Sequence, residues 1–141
     1  MTGDVSLYRP AAFRGGILAD SMGLGKSLSV ISLLATDWSE HAQKSIGVPP
    51  TLLVVPFPLL QPWEEELKKH LHPQTLRCLR YHGPKRTDNI ATILLHNIVL
   101  TTYDLVASEW RTLEKGPKLL FSTTWRRIVL DEGKRQPQAT Y

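Results

Sequence analysis

The sequence has a single cysteine, Cys78, among its 141 residues, so no disulfide can form within the chain. One cysteine is typical of proteins in reducing compartments and excludes the small disulfide-rich class. No apolar run approaches the roughly 20 residues of a membrane-spanning helix. The first thirteen residues also lack the apolar core of a secretory signal peptide. We therefore expect a soluble intracellular protein.

A strong charge imbalance and an excess of glycine or proline are absent too. The chain has 17 Lys and Arg against 13 Asp and Glu, a net charge of +4, with 9 glycines and 10 prolines. This modest basic balance is compatible with nucleic acid or an acidic partner and requires neither. The hydrophobic fraction of 42% indicates one globular domain rather than a disordered chain.

Strand-like and helix-like segments alternate along the chain. The strand-like ones lie at 15–19, 51–56, 75–81, 97–103 and 126–132. Three of them are near-continuous runs of Val, Ile and Leu, which are typical of strands buried on both faces of a parallel sheet. The helix-like ones lie at 26–38, 59–70 and 87–96, the last opening on a Thr or Asp cap. The alternation predicts an α/β fold.

A glycine-rich turn lies between the first strand-like and the first helix-like segment, in "GGILADSMGLGKS", residues 15–27. Backbone N–H groups of such a turn converge on phosphate together with the positive end of the following helix. Gly23 and Gly25 would shape the turn, Lys26 would reach the outer phosphates, and the Ser27 hydroxyl would ligate Mg²⁺. The strict pattern has glycine where this chain has Asp20. The alternative is a glycine turn followed by a solvated lysine.

Two adjacent acids, Asp131 and Glu132, end the apolar segment "RRIVLDE". Ligands of open α/β sheets bind at the carboxyl ends of the strands. Asp131 could hold Mg²⁺ through its water shell, and Glu132 could accept a proton from an attacking water. A water-polarising glutamate favours nucleotide hydrolysis over a small-molecule kinase, which must exclude water. The alternative is a helix cap or a solvated pair.

Four motifs in this order resemble the Swi/Snf-type, helicase-like ATPases of superfamily two. "GGILADSMGLGKS" is similar to their motif I, which also carries Asp at the position of Asp20, and "TLLVVPFPLLQPWEEELKKH" to motif Ia. "NIVLTTYDLV" resembles motif Ib and "RRIVLDEG" resembles motif II. Within this family, the residues of motifs I and II most resemble the subgroup of the helicase-like transcription factor and its fungal DNA-repair relatives.

The resemblance implies a P-loop, RecA-like lobe with a mostly parallel sheet and flanking helices. It also implies ATP and Mg²⁺ as cofactors, double-stranded DNA or chromatin as partner, a nuclear location, and work in chromatin remodelling or DNA repair. It assigns catalytic roles to Lys26, Asp131 and Glu132, and Mg²⁺ ligation to Ser27 and Asp131. It assigns nucleotide contacts to Asp20, Met22, Gly23, Leu24, Gly25, Lys26 and Ser27, and DNA contacts to Pro56, Thr101, Thr102 and Tyr103.

Some family features are missing. Motif II of the family reads Asp-Glu-Gly-His or Asp-Glu-Ala-His, whereas this chain has Lys134 at the fourth position. No motif III or second lobe follows.

We therefore predict an N-terminal extension (1–14), an incomplete ATP-binding lobe (15–133) and a divergent tail (134–141). On its own, such a fragment would bind ATP and Mg²⁺ but would not couple hydrolysis to DNA. The missing second lobe would be its partner. The alternatives are a non-catalytic DNA- or partner-binding module from a shortened gene, and an unrelated P-loop NTPase or kinase.

Overall fold

A computed structural model of the chain describes residues 15–21, 23–42, 47–72, 76–111 and 118–132. These residues form one four-stranded sheet in the order β2-β3-β1-β4. Its strands are β1 (Thr51–Val55), β2 (Cys78–Arg80), β3 (Ile98–Thr102) and β4 (Arg127–Leu130). Each neighbouring pair of strands is parallel. The predicted α/β fold with a mostly parallel sheet and flanking helices is confirmed.

Helices cover both faces of this sheet. They are α1 (Lys26–Ala42), α2 (Leu60–His70), α3 (Ile90–Leu94), α4 (Tyr103–Arg111) and α5 (Leu119–Ser122), with a 3₁₀ turn at Phe57–Leu59 before α2. Side chains of α1 and α2 pack in one apolar cluster with Leu53 and Val55 of β1. Side chains of α3, α4 and α5 pack in a second cluster with Leu52 and Val54. The result is a three-layer α/β/α arrangement. None of the described helices is both long and apolar enough to cross a membrane.

The two central strands match the predicted apolar runs. All five residues of β1 and all five of β3 are buried. Because successive side chains of a strand point to opposite faces, both faces need apolar residues, which explains the absence of clean alternation. Strand β2 is shorter than the predicted segment 75–81, of which residue 75 lies outside the described residues. Burial, followed by the charge of Glu64, raises the pKa of the Cys78 thiol in β2 to about 12, which keeps it protonated.

The sequence of α2 explains which of its faces is buried and where the helix ends. Leu60, Trp63 and Leu67 are spaced three and four residues apart and are all buried. Its last turn contains Lys68, Lys69 and His70, where positive charge interacts favourably with the helix dipole. Trp63 and Leu67 are therefore core residues.

Residues 15–19 differ from the prediction, because they form no strand. The side chains of Ile17 and Leu18 are 95% and 48% exposed. A strand requires a hydrogen-bonded neighbour, and this segment pairs with none of the described strands. Strand β4 lies at one edge of the described sheet, and its Ile128 and Leu130 side chains are also exposed.

The start of α3 also differs from the prediction in its capping residue. Asn89, rather than Thr87 or Asp88, caps the helix, and its Oδ1 accepts a 2.8 Å hydrogen bond from the backbone N–H of Ala91. Thr87 instead accepts a hydrogen bond from the backbone N–H of Asn89. Three adjacent polar residues thus share the turn, and only the last of them reaches the helix.

Candidate nucleotide-binding site

The loop before α1 has the backbone conformation that its glycines allow. Gly23 and Gly25 have φ angles of +85° and +75°, a region that other residues enter at a cost of about 1–2 kcal/mol. A Cβ at either position would meet no atom within 4 Å. Glycine is therefore required here by backbone conformation and not by lack of space. The carbonyl of Gly25 accepts the first helical hydrogen bond of α1, from the N–H of Ser29 at 2.9 Å.

The Lys26 side chain folds back across this loop. Its Nζ donates hydrogen bonds to the backbone carbonyls of Asp20 at 2.8 Å and Ser21 at 3.0 Å. An ammonium group has three donors, so one further donor remains for an incoming acceptor. The half-buried Ser27 hydroxyl makes no hydrogen bond with any residue that the structure describes. Leu24 is exposed at the loop surface, and Met22 lies outside the described residues.

The amino end of α1 adds further donors at the same place. The first N–H groups of a helix have no partner within the helix, and here these groups belong to Lys26, Ser27 and Leu28. Together with the helix dipole they make this end attractive to anions. The glycine loop, the Lys26 ammonium and these N–H groups can therefore bind phosphate.

The Asp131 side chain and backbone are both held by hydrogen bonds. Its Oδ2 accepts a 2.6 Å hydrogen bond from the indole Nε1 of Trp63 in α2. Its carbonyl accepts a 2.8 Å hydrogen bond from the hydroxyl of Tyr103. Its N–H donates to the carbonyl of Val54, which extends the β1–β4 pairing beyond Leu130. Asp131 therefore has a defined orientation at the end of β4.

Glu132 follows Asp131 with an exposed side chain and a φ angle of +48°. It is the one non-glycine residue with positive φ in the described part of the chain. Such conformations in non-glycine residues occur often at functional sites. The backbone turns sharply here, directly beyond the sheet.

Three residues at the carboxyl edge of the sheet lie side by side. The register pairs Val55 with Thr102 and Val54 with Leu130. Pro56, Tyr103 and Asp131 each follow the end of one of these strands. Burial, followed by the negative charges of Asp131 and Glu132, raises the pKa of Tyr103. The Tyr103 hydroxyl therefore stays protonated and donates its hydrogen bond at neutral pH.

An ionic cluster connects α1 to the opposite, amino edge of the sheet. Both Asp37 carboxylate oxygens accept hydrogen bonds from Arg126, at 2.7 Å each, and Oδ2 also accepts one from Arg127 at 2.8 Å. Asp37 lines a small cleft together with Thr51 and Ile98, the first residues of β1 and β3. The later turns of α1 thus lie at the amino ends of the strands.

From this anchor, α1 and β4 extend to the same edge of the molecule. The helix from Asp37 back to Lys26 is about 16 Å long, and β4 from Arg127 to Asp131 spans about 13 Å. Since α1 packs against the sheet and Asp37 lies at the amino edge, the amino end of α1 is directed toward the carboxyl ends of the strands. This direction would bring the glycine loop to the edge that contains Asp131, although the two are about a hundred residues apart in sequence.

The four residues expected to contact DNA fall into two groups. Pro56 and Tyr103 are partly exposed at the carboxyl edge. Thr101 and Thr102 are fully buried. The Thr101 hydroxyl donates to the Tyr81 carbonyl, and the Thr102 hydroxyl accepts from the N–H of Leu105. A direct contact between either threonine side chain and a surface partner is not compatible with this burial.

Three residues that hold these elements in place were not found by sequence reasoning: Trp63, Asp37 and Arg126. A buried indole N–H usually has a hydrogen-bond partner, and this was the available signal for Trp63. Nothing in the local sequence links Asp37 to Arg126, which is 89 residues away.

Comparison with known proteins identifies the family of this arrangement. The model of the SNF2-related domain matches residues 6–139. That match includes much of the segments 1–14 and 134–141, which the sequence analysis set apart. It agrees with the resemblance inferred from the four motifs.

Similar curated proteins are found in plants, fungi and insects. DNA repair protein RAD5B of Arabidopsis thaliana is 31% identical over 93% of this chain and 12% of its own length. DNA repair protein RAD5 of Debaryomyces hansenii is 34% identical over 93% of this chain and 13% of its own length. Transcription termination factor 2 of Drosophila melanogaster is 33% identical over 84% of this chain and 14% of its own length. The chain thus spans only 12–14% of the length of these relatives. With the family model matched over nearly its whole length, the chain belongs to the SNF2-related domain family.

Proposed function

We propose that this chain is the ATP-binding part of a Swi/Snf-type DNA-dependent ATPase, with ATP and Mg²⁺ as its ligands. The observation that carries the proposal is the loop before α1. There, Gly23 and Gly25 have positive φ, and Lys26 reaches across the preceding carbonyls. Such a loop at the amino end of a helix is suited to the phosphates of a nucleotide.

Lys26 is the cation for the outer phosphates in this proposal. Its third donor is available to a phosphate oxygen, and the bonds to Asp20 and Ser21 hold the ammonium at the mouth of the loop. The Ser27 hydroxyl offers an oxygen ligand for Mg²⁺, which prefers oxygen donors. Leu24 would contribute a backbone group through its position in the loop, whereas the nucleotide contact assigned to Met22 lies outside the described residues.

Asp131 and Glu132 have separate roles in this proposal. Asp131 holds Mg²⁺ through its carboxylate, and the ion would neutralise charge on the phosphates. A carboxylate has about four lone-pair sites, so the hydrogen bond from Trp63 leaves room for this role. Glu132 is exposed beyond the strand and would accept the proton of the attacking water. The residues present therefore fit both ligands.

Double-stranded DNA is the proposed partner and the nucleus the proposed location. Two of the relatives named above are DNA repair proteins, which supports repair or chromatin work for the whole protein. Pro56 and Tyr103 are the candidate DNA contacts in this proposal. A second RecA-like lobe would complete the site by supplying an arginine, worth about 10³–10⁵ in rate in related NTPases. In this proposal, DNA-stimulated turnover requires such a lobe in addition to the ATP-binding residues.

The variant Lys26→Ala tests the nucleotide site. Hydrogen bonds to charged groups contribute about 1.5–3 kcal/mol, so we expect the dissociation constant of a fluorescent ATP analogue to rise about 10- to 100-fold in the presence of Mg²⁺. Lys85→Ala, at an exposed loop position, is the matched control and should bind as the wild type does. Circular dichroism verifies that both variants are folded. Equal binding by wild type and Lys26→Ala would remove the basis of the proposed function.

A further inference from the structure

We infer that Trp63 is a positioning residue that sets the orientation of the Asp131 carboxylate for Mg²⁺. This inference rests on the proposed function. The indole Nε1 donates to Asp131 Oδ2 at 2.6 Å across 68 residues of sequence. The contact joins α2 to the residue that ends β4, and it lies at the carboxyl edge of the sheet.

The chemistry of Trp63 makes this contact specific. Indole has one N–H and no acceptor, so the ring can only donate, and here it donates to a carboxylate oxygen. Trp63 is 4% exposed and packs in the cluster formed by α1, α2 and the sheet. A closely packed side chain changes its rotamer only at a cost, so it constrains the orientation of its hydrogen-bond partner. The carboxylate is therefore held with Oδ2 toward the indole, and Oδ1 remains for a ligand.

Tyr103 supports the same residue from the other side of the sheet. Its ring packs against the cluster under α3, α4 and α5, and its hydroxyl donates to the Asp131 carbonyl at 2.8 Å. Trp63 thus holds the carboxylate from one helical layer, and Tyr103 holds the backbone from the other. Asp131 has little freedom left to turn away from a bound ion.

Packing alone does not require an indole at position 63. The neighbouring buried residues of α2, Leu60 and Leu67, are aliphatic, and phenylalanine would fill most of the same space. What phenylalanine cannot supply is the N–H. A packing role and a positioning role therefore make different predictions for Trp63→Phe.

Hydrogen bonds to metal-binding carboxylates have effects that can be measured. Residues that hold the ligands of an ion typically change metal affinity 10- to 100-fold when they are mutated. For Trp63→Phe we expect the Mg²⁺ concentration that gives half-maximal binding of a fluorescent ATP analogue to rise tenfold or more. The affinity for the analogue in EDTA should stay unchanged, because the glycine loop and Lys26 are intact.

Trp125→Phe is the matched control. The Trp125 indole also donates a hydrogen bond, to the Leu120 carbonyl at 2.7 Å, but it lies before β4, at the amino edge. Its loss removes an indole hydrogen bond of similar length away from the site. We expect this variant to show the Mg²⁺ dependence of the wild type.

A measurement on the unaltered protein covers the case in which Trp63→Phe does not fold. With ¹⁵N-labelled tryptophan, the indole signal of Trp63 should move when ATP and Mg²⁺ are added together. It should move less with ATP and EDTA, and the signals of Trp110 and Trp125 should stay in place. Single Phe variants at the other tryptophans identify the Trp63 signal.

The outcomes separate this inference from the proposed function. In one outcome the wild type binds the analogue and Lys26→Ala binds it more weakly, while Trp63→Phe has the Mg²⁺ response of the wild type or the Trp63 signal does not move. That result would overturn the positioning role alone. No binding of the analogue by the wild type would overturn the proposed function and the positioning role with it. A rise in the Mg²⁺ concentration that Trp63→Phe needs for half-maximal binding, with unchanged affinity in EDTA, supports both.

Discussion

The variant Asp37→Ala is expected to lose about 2–4 kcal/mol of the free energy of unfolding. Removing one partner of a buried ion pair costs about 3–5 kcal/mol, because a charge is left uncompensated. Here Asp37 is 16% exposed, and its partners Arg126 and Arg127 are 25% and 32% exposed, so solvent reduces the cost. The loss is still a large part of the roughly 5–15 kcal/mol that stabilises a typical domain.

Urea unfolding followed by circular dichroism measures this loss. Glu66→Ala is the matched control, because it removes an acid that makes a surface ion pair with Lys69 and contacts His70. Exposed pairs of this kind contribute about 0–1 kcal/mol, so the control should remain close to the wild type. If Asp37→Ala were as stable as Glu66→Ala, the ionic cluster would not anchor α1 to the sheet.

The variant Glu132→Gln is expected to retain ATP binding and to lower turnover about 10²- to 10⁴-fold. An amide has almost the shape of the carboxylate but cannot accept the proton of an attacking water, and general-base catalysis contributes about this factor. The measurement is a DNA-stimulated ATPase assay on a polypeptide that carries these residues together with a second RecA-like lobe, since the proposed function requires both.

Glu65→Gln is the control for this experiment. Glu65 lies on the exposed side of α2, where it accepts a hydrogen bond from Gln61. The control should hydrolyse ATP at the wild-type rate. Unchanged turnover in Glu132→Gln would mean that another group activates the water, and it would leave the phosphate site itself untouched.

The central strands could be predicted because their burial determines their composition. Strands β1 and β3 are covered by helices on both faces, so the chain must be apolar at successive positions. The carboxyl end of α2 has a similar local signal, since the lysines of its last turn lie near the negative end of the helix dipole. In both cases the requirement, burial or a favourable charge, concerns residues adjacent in sequence, so the local sequence shows it.

Features that depend on a distant partner could not be predicted in this way. Residues 15–19 have the composition of a strand, but composition does not supply a neighbouring strand. The resemblance to motif Ib correctly located β3, yet it did not say that Thr101 and Thr102 point into the core. The bond between Trp63 and Asp131 depends on the sheet order that brings α2 beside the end of β4. Only the folded arrangement reveals it.

The loop before α1 is the basis of the nucleotide-binding account, and amide hydrogen exchange with and without ATP and Mg²⁺ tests it most directly. We expect the ligands to slow exchange from Gly23 to Leu28, where the glycine turn and the first turn of α1 present their N–H groups. Exchange in α3, which lies on the other face of the sheet, should stay unchanged. If residues 23–28 exchanged at the same rate with saturating ATP and Mg²⁺ as without them, the account would be contradicted.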